Sequence, residues 1–251
     1  MTTRLRVFVT GQKAFGAAAA AAVHEAGHHV VAVASPAYAG PDAGTPWAYG
    51  DDDTMRHDRL RAWATRHDVA WLEACTLTAE KIPGCDVILA AHSQAFLGRK
   101  SRARARLAAI GYHPSLLPLH RGRDAVRWTI RDRDKVTGGS VYHLTNTVDG
   151  GPLAAQDYVL VPPGATADTL WRDLLAPLGL TLIRRALTDL AAGRVVMVAQ
   201  DERCATWEPS WDRPRLHRPE LPELTAGRPG GPTYVADPTA LHQPLAVPAP
   251  T

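Results

Sequence analysis

The first 34 residues alternate strand, helix and strand, and this opening constrains the fold more than any other feature of the chain. Apolar residues at positions 5, 7 and 9 predict a strand, residues 10–13 a turn, and the alanine-rich run over residues 15–26 a helix. Gly27 stops that helix, and the nearly continuous apolar run over residues 29–34 is typical of a parallel sheet covered on both faces. The sequence therefore predicts that a βαβ unit opens the protein.

The same alternation continues to about residue 192. Predicted strands cover residues 69–72, 87–91, 108–112, 141–144 and 155–160, and predicted helices cover residues 56–66, 99–107, 123–131 and 166–192. Strands that alternate with helices predict the α/β class, as a Rossmann-like open and mostly parallel sheet with helices on both faces. Ligands of such sheets bind beyond the carboxyl ends of the strands.

The character of the chain changes after residue 208, because 10 of its 20 prolines lie in the last 43 residues. We therefore expect one α/β domain over residues 1–208 and an extended, Pro-rich tail over residues 209–251. Residues 36–54 are rich in Pro, Gly and Asp, and they predict a long loop inside the domain.

Composition disfavours several classes of protein. With 28 Lys+Arg against 25 Asp+Glu, the net charge of +3 is too small to indicate a nucleic-acid partner. The three cysteines are widely spaced and include no Cys-x-x-Cys pair, which argues against disulfides or structural zinc and favours the cytoplasm. No window approaches the roughly 20 apolar residues that span a bilayer, so we expect no membrane role.

Two local patterns look like ligand sites but fit ordinary structure better. His24-Glu-Ala-Gly-His28 has the spacing of a zinc motif, yet Gly27 stands where a helix ends, so we expect the two imidazoles to diverge and predict no metal site. The basic run from Arg99 to Arg106 is predicted to be a solvated helix face.

A histidine and an aspartate are the candidates for chemistry. His113 ends a predicted strand, and Pro114 holds it extended, so its ring is aimed from the edge of the sheet. The loop over residues 145–152 follows another predicted strand and presents Asp149 among polar and flexible neighbours. Because adjacent strand ends share one crevice, we expect the two side chains to meet there and to form an active site.

Several short motifs surround this pair: His113-Pro-Ser-Leu-Leu-Pro, then His120-Arg-Gly, and later Asp149-Gly-Gly-Pro with Gln156. Together with Gly11-Gln-x-x-Phe-Gly and Ser93-Gln-x-Phe, they resemble the formyltransferase family that uses 10-formyltetrahydrofolate. The resemblance runs from about residue 4 to residue 210. Within the family, the motifs are most similar to those of the hydrolase domain of 10-formyltetrahydrofolate dehydrogenase.

The resemblance implies roles for individual residues. It implies that His113 stabilises the oxyanion, and that Asp149 holds the imidazole and moves a proton between nucleophile and leaving nitrogen, without a metal. It also implies that two segments enclose the pterin of 10-formyltetrahydrofolate. The implied folate-binding residues are Ser93, Gln94, Phe96, Leu97, Thr145, Asn146, Thr147 and Val148.

Gly111 departs from the family pattern, which has an asparagine two positions before the histidine, where its amide helps to hold the formyl oxygen. The hydrolase domain of the dehydrogenase also lacks this asparagine. Loss of such a donor costs a factor of about 10²–10³ in rate, so we expect a compensating donor. The candidates are Asn146, Ser93, Gln94 or a backbone N–H.

The expected function is transfer of the formyl group to a small-molecule amine. One rival is hydrolysis to formate and tetrahydrofolate, and a second is a folate-binding or partner-docking protein whose activity has decayed. A carrier-bound thiol or amine is a further possible acceptor. Methionyl-tRNA is disfavoured, because the enzyme that formylates it continues into a β-barrel that the proline-rich residues 209–251 cannot supply. The acceptor's identity and the oligomeric state stay open.

Overall fold

The computed structural model describes residues 3–37, 59–93 and 95–208. The predicted tail, Gln94 and most of the predicted loop over residues 36–54 lie outside these residues. The division into a domain over residues 1–208 and a tail therefore stays a prediction.

The described chain alternates strands and helices, as the sequence pattern indicates. The strands are β1 (Arg6–Gly11), β2 (His29–Ser35), β3 (Trp71–Glu73), β4 (Cys85–Ala91), β5 (Ala105–His113), β6 (Arg121–Gly122), β7 (Val136–His143), β8 (Leu153–Leu160) and β9 (Trp207–Glu208). The helices are α1 (Lys13–Glu25), α2 (Arg59–Arg66), α3 (Arg99–Arg102), α4 (Ala125–Asp132), α5 (Ala167–Thr169) and α6 (Ala176–Ala191). None of the helices in these described segments has the length and apolar character needed to cross a membrane.

Seven strands form one sheet in the order β3-β2-β1-β4-β5-β7-β8. The strands from β3 to β5 are parallel, whereas β7 is antiparallel to both β5 and β8. A separate two-stranded sheet pairs β6 with β9. The structure therefore confirms the predicted α/β class, and its carboxyl edge beside β1, β4 and β5 is where such sheets place a ligand crevice.

Alternation along β1 sends neighbouring side chains into two cores. Val7 and Val9 belong to the larger core, which α1, α2 and α6 cover on one face of the sheet. Phe8 faces the other way, into a smaller core with Ile82 and Ile88. Full burial of each such side chain contributes about 1.5–3 kcal/mol, so both faces of the sheet stabilise the fold.

The predicted helix over residues 99–107 is wrong beyond Arg102. Helix α3 ends there, and Ala105 already pairs with Cys85 in the sheet. The arginines give this segment a helical charge pattern, but its backbone groups are satisfied by pairing with β4, and tertiary context outweighs local propensity. Arg106, on the exposed side of the strand, forms an ion pair of 2.9 Å with Asp86.

The predicted helix over residues 166–192 is interrupted near its start. A π-helical segment, Leu170–Leu175, separates α5 from α6. Pro177 gives the physical reason: it has no N–H to donate to the carbonyl of Asp173, so regular α-helical bonding cannot continue through this point.

Strand β7 begins at Val136, five residues before the predicted start at residue 141. Gly138 and Gly139 hide this half of the strand, because glycine weakens a strand pattern. Close packing against β8 explains the glycine at position 138, because a Cβ there would overlap the carbonyl oxygen of Asp157. Ser140, at the end of this added length, is the cross-strand partner of His113 on β5.

Candidate active site

His113 lies at the carboxyl end of β5, and its side chain is buried. Its Nε2 donates a hydrogen bond of 2.7 Å to the backbone carbonyl of His120, while its Nδ1 faces Oδ2 of Asp149 at 3.6 Å. The structure thus brings together the histidine and the aspartate that the sequence assigns to two strand ends. It also defines which ring nitrogen faces the carboxylate.

Asp149 is held at three points. Its Oδ1 accepts a hydrogen bond of 2.6 Å from the hydroxyl of Tyr142, and its Oδ2 accepts one of 2.8 Å from the N–H of Gly122. Its backbone carbonyl accepts a bond of 2.8 Å from the side-chain amide of Gln200. The residue has a φ of 51°, in the left-handed region that Asp tolerates better than most residues. The carboxylate is therefore fixed in both position and orientation.

The consecutive residues His120, Arg121 and Gly122 all support this pair. His120 supplies the carbonyl that binds the ring of His113, and Gly122 supplies an N–H to Asp149. The buried guanidinium of Arg121 donates from Nε and Nη2 to Oε1 of Gln200, at 3.1 and 2.7 Å. Gln200 then holds the backbone of Asp149 through its amide nitrogen. The His-Arg-Gly motif thus holds both members of the pair.

The hydrogen bonds constrain the protons of the His113–Asp149 pair. Because Nε2 of His113 donates to a carbonyl, a neutral ring would present an unprotonated Nδ1 to the carboxylate. The two atoms, 3.6 Å apart, are not hydrogen bonded to each other, but an imidazole and a carboxylate this close are groups that can pass a proton to and from a reacting group.

Side chains of the sheet hold the loop that carries Pro114 through hydrogen bonds. Oγ of Ser140 donates to the carbonyl of Ser115 at 2.7 Å and accepts from the N–H of Leu117 at 3.1 Å. The amide of Gln156 donates to the carbonyl of Leu117 at 2.9 Å and to Oγ of Ser140 at 2.8 Å. These four buried bonds fix the His-Pro-Ser-Leu-Leu-Pro segment and hence the direction of the His113 ring.

A cavity of about 620 Å³ opens in front of the pair. This volume lies within the usual range for small-molecule sites, about 300–1,000 Å³. His113, Asp149, Tyr142 and Gly111 lie together in its wall, which also includes Lys13, Phe15, Arg59, His92, Ser93, Arg123, Asp124, Arg127, Val148, Asp168 and Trp171. Burial, with a smaller contribution from Lys13, lowers the pKa of His92 to about 4.

Gly111 and Tyr142 lie opposite each other on β5 and β7. A Cβ on Gly111 would lie 3.0 Å from Cδ2 of Leu144 and 3.4 Å from Cε1 of Tyr142. The first distance shows that Leu144 would have to shift to admit a side chain at position 111, and the second that this side chain would touch the tyrosine ring. Burial, and then Asp149, raise the pKa of Tyr142 well above its usual value, so its hydroxyl keeps its hydrogen.

The implied folate-binding residues occupy different environments. Ser93 and Val148 line the cavity. Arg102 joins the two implied pterin segments, because it donates to the carbonyl of Leu97 at 2.6 Å and to Oδ1 of Asn146 at 2.7 Å. Phe96 is 79% exposed, and Oγ1 of Thr145 bonds the backbone of Thr147. Among the described residues, Phe96, Leu97 and residues 145–147 do not line the cavity, and Gln94 lies outside the described chain.

Sequence reasoning missed Tyr142, Arg102 and Gln200. Tyr142 follows Val141 in a strand whose glycine-rich first half the sequence pattern does not reveal. The pattern therefore does not predict on which face of the sheet the side chain of Tyr142 lies. Gln200 belongs to a segment without periodicity and reaches Asp149 across 51 residues. The His120-Arg-Gly motif is the one sequence signal near these contacts. It draws attention to residues 120–122, but it does not show that Arg121 bonds Gln200 or that Gln200 bonds Asp149.

The zinc-like motif is divided by the end of α1. The ring of His24 packs against Trp63 and His67, whereas Nδ1 of His28 accepts a hydrogen bond of 3.4 Å from the N–H of Leu5. The two imidazoles therefore serve different neighbours, as expected from Gly27.

A second cluster lies next to the site, where ligand-type atoms of His120, Asp132 and Glu208 come within 4.8 Å of one another. Nδ1 of His120 bonds Oε2 of Glu208 at 2.9 Å, and its Nε2 bonds Oδ2 of Asp134 at 2.7 Å. Burial lowers the pKa of His120, but the bonds to these two carboxylates outweigh it and the net pKa is raised. An imidazolium that bridges two carboxylates accounts for this geometry, and it ties β9 to the site.

Comparisons with known proteins agree with this geometry. The chain is 31% identical over 208 residues to methionyl-tRNA formyltransferase of Anaeromyxobacter dehalogenans, which covers 80% of this chain and 64% of that protein. It is 37% identical over 115 residues to mitochondrial 10-formyltetrahydrofolate dehydrogenase of Mus musculus, covering 42% of this chain and 12% of that protein. The matched part is thus less than two thirds of either relative.

A solved structure has a similar fold. The N-formyltransferase of Helicobacter canadensis, in complex with folinic acid and dTDP-3-aminofucose, has a TM-score of 0.63 and 12% identity over 84% of this chain and 72% of that chain. At this identity the likeness concerns the fold alone. The sequence comparison goes further, because residues 3–185 match the family described as formyl transferase, which is well over half of the chain. The family resemblance seen in the motifs is confirmed, and the chain belongs to the formyl transferase family.

Proposed function

We propose that the protein takes the formyl group from 10-formyltetrahydrofolate and transfers it to the amine of a small molecule, in the cytoplasm. The observation that carries the proposal is the 3.6 Å approach of Nδ1 of His113 to Oδ2 of Asp149 in the wall of one cavity. Membership of the formyl transferase family supports the reaction type.

The proposed reaction uses the pair as follows. The acceptor amine attacks the formyl carbon, a C–N bond forms, and the carbonyl π electrons move to the formyl oxygen. Nδ1–H of His113 stabilises this oxyanion. Asp149 takes the proton that the amine loses and delivers it to N10 of the folate as the C–N10 bond breaks. No step needs a redox change.

Folate as the donor is supported by the solved relative bound to folinic acid and by the name of the dehydrogenase relative. The two segments that Arg102 joins, at Leu97 and Asn146, are the proposed binding region for the pterin. Ser93 and Val148, which are close in sequence to these two segments, line the cavity together with the pair.

The character of the cavity supports a small-molecule acceptor. Its volume of about 620 Å³ suits a small ligand, and its wall includes four basic side chains, Lys13, Arg59, Arg123 and Arg127, together with the acidic Asp124, Asp149 and Asp168. We propose that the acceptor amine carries a phosphate or a carboxylate, because such groups are favoured beside several cations.

The test follows the loss of the formyl form of the donor optically, first with the donor alone and then with two pools of amines. The members of one pool carry phosphate or carboxylate groups, and those of the other are neutral. Turnover that depends on the anionic pool supports the full proposal, while turnover with the neutral pool rejects the charge assignment. Turnover without an acceptor would assign a hydrolase. Tight folate binding without turnover would leave a binding protein.

The His113→Ala variant is the matched control for the site. It should bind tetrahydrofolate about as well as the wild type and lose turnover, because the ring contacts the reacting group rather than the pterin. Wild-type rates in this variant would reject the proposed site.

A further inference from the structure

The reaction proposed above places negative charge on the formyl oxygen, and His113 has limited capacity to stabilise it. One of its two ring nitrogens, Nε2, is committed to the carbonyl of His120. The other, Nδ1, also serves Asp149. The inference below rests on the proposed function and concerns the second donor that this oxyanion requires.

Tyr142 lies directly beside the space that a side chain at position 111 would enter. It is the cross-strand partner of Gly111, and its Cε1 and Cζ would lie 3.4 and 3.5 Å from a Cβ there. The register of β7 against β8 shifts between Val141 and Tyr142, and irregularities of this kind re-aim side chains near active sites. The tyrosine ring is therefore within van der Waals reach of position 111, on the neighbouring strand.

The hydroxyl of Tyr142 is suited to donate a hydrogen bond at this place. It is buried, lies in the cavity wall with His113, and donates 2.6 Å to Oδ1 of Asp149. Its raised pKa keeps it a neutral donor at physiological pH, because burial and the nearby carboxylate both disfavour the phenolate.

Other donors close to the pair are engaged elsewhere. The N–H of Gly122 bonds Asp149 at 2.8 Å. Oγ of Ser93 shares a bond of 3.0 Å with Thr10 and accepts another from the N–H of Ala95. Of the donors considered for the missing amide, Asn146 uses its oxygen to bind Arg102, and it does not line the cavity among the described residues.

We propose that Tyr142 is a catalytic residue whose phenol O–H turns from Asp149 to the formyl oxygen as the tetrahedral intermediate forms. The phenol keeps its proton throughout. As the amine attacks, its proton passes to Asp149, and a protonated carboxyl accepts hydrogen bonds more weakly than a carboxylate. The formyl oxygen gains charge at the same moment, so the better acceptor is now the substrate.

The second half of the cycle reverses these changes. The oxyanion's electron pair re-forms the C=O bond, the C–N10 bond breaks, and the proton on Asp149 moves to N10 of the folate. Asp149 is then a carboxylate again and recovers the hydrogen bond from Tyr142. The hydroxyl of Tyr142 thus donates first to the carboxylate of Asp149, then to the negatively charged formyl oxygen, and finally to the carboxylate again.

The first experiment compares the full-length Tyr142→Phe and Tyr158→Phe variants with the wild type. Tyr158, on β8, is 42% exposed and serves as the control for loss of a tyrosine hydroxyl. We expect Tyr142→Phe to lower kcat by about 10²–10³-fold with the KM for folate changed less than threefold, whereas Tyr158→Phe stays at the wild-type rate. A kcat for Tyr142→Phe within threefold of the wild type overturns the inference.

A second comparison separates donation from packing. Tyr142→Val empties the space beside position 111, and Gly111→Asn or Gly111→Leu then refills it with side chains of nearly equal shape. We expect the Asn double variant to recover at least tenfold in kcat over Tyr142→Val, and the Leu double variant to recover nothing, because Leu has no N–H. Equal recovery by both would reject donation and leave Tyr142 a packing role.

These outcomes are distinguishable from failure of the proposed function. No turnover of 10-formyltetrahydrofolate by the wild type, with or without amines, overturns the proposed reaction and the role of Tyr142 with it. Wild-type turnover together with an undiminished Tyr142→Phe rate overturns the role of Tyr142 alone.

Discussion

The backbone carbonyl of His120 accepts a hydrogen bond of 2.7 Å from Nε2 of His113, and this contact leaves only Nδ1 of the ring for the proposed reaction. With Nε2 occupied, Nδ1 is the nitrogen that faces both Asp149 and the cavity. The imidazole is thus restricted to acting through one nitrogen, and it depends on its neighbours for every other function.

Asp149→Asn is expected to lower kcat by about 10²–10⁴-fold, because an amide cannot take the proton of the attacking amine. The fold should survive, since the amide oxygen can still accept one of the bonds from Tyr142 and Gly122. Steady-state kinetics and thermal unfolding would be measured together. Asp157→Asn, an aspartate on β8 whose Oδ1 bonds the N–H of Tyr158, is the matched control. A loss smaller than tenfold would contradict the assigned role.

Gln200→Leu is expected to lower kcat by about 10- to 100-fold, because Asp149 loses the bond that positions its backbone. Folate affinity should change little, because Gln200 does not itself line the cavity and bonds only the backbone carbonyls of Asp149 and Gly151 with its amide nitrogen. Arg203→Gln, in the same segment but exposed and paired only with Asp201 among the contacts described, should keep its activity. Equal activity of the wild type and Gln200→Leu would show that the bonds from Tyr142 and Gly122 are enough to position the aspartate.

Gly111→Asn as a single variant is expected to be slower than the wild type by at least tenfold. The new side chain would meet Leu144 at 3.0 Å and Tyr142 at 3.4 Å from its Cβ alone, and overpacking of this kind costs about 1–3 kcal/mol of stability. Thermal unfolding and kcat would be compared with those of Gly111→Ala, which tests the Cβ without the amide. A faster Asn variant would mean that the tyrosine ring moves aside freely.

His92 makes stability depend on acid. Burial and Lys13 lower the pKa of His92 from 6.5 to about 4, so the folded state resists its protonation. Its contribution is complete above pH 6.5 and is lost as the pH falls towards 4. Urea unfolding at a series of pH values would measure this slope, and His92→Asn, which suits the residue's positive φ, should flatten it. An unchanged slope in the variant would assign the acid sensitivity to other groups.

His120 has the opposite dependence. The bonds to Asp134 and Glu208 outweigh burial and raise the pKa of His120 above 6.5, so its stabilisation is complete below pH 6.5 and is lost as the pH rises through the raised value. His120→Asn should cost about 3 kcal/mol in the acidic range, because Glu208 is left buried without its cation. The difference from the wild type in free energy of unfolding should shrink as the pH rises. A constant difference would count against a charged imidazolium.

Sequence reasoning succeeds where the signal is local. The βαβ opening is confirmed, because alternation, an alanine run and a stopping glycine all lie within a few residues of one another. The expected approach of His113 to Asp149 is confirmed, but not for the expected reason, because β7 is antiparallel to β5 and Asp149 lies in the loop after β7, which returns to the end of β5. Their catalytic roles stay a prediction.

Sequence reasoning fails where tertiary contacts override the local helix or strand propensity. The arginines before β5 suggest a helix, yet Ala105 pairs with Cys85, and Pro177 interrupts a helix whose apolar pattern is continuous. Tyr142 is missed because glycines conceal the start of β7, which leaves the direction of each later side chain undetermined. Contacts such as Gln200 with Asp149 join segments that no periodicity relates.

Because Gln200 holds the backbone of Asp149, any shortened version of this protein must extend beyond residue 200 to keep that contact. The family match ends at residue 185, but Gln200, which holds the backbone of Asp149, and Glu208, which bonds His120, lie beyond it. A fragment cut at the family boundary would end inside α6 and would also release Asp149 from Gln200. Fusion proteins and domain swaps should therefore place their junction after residue 208.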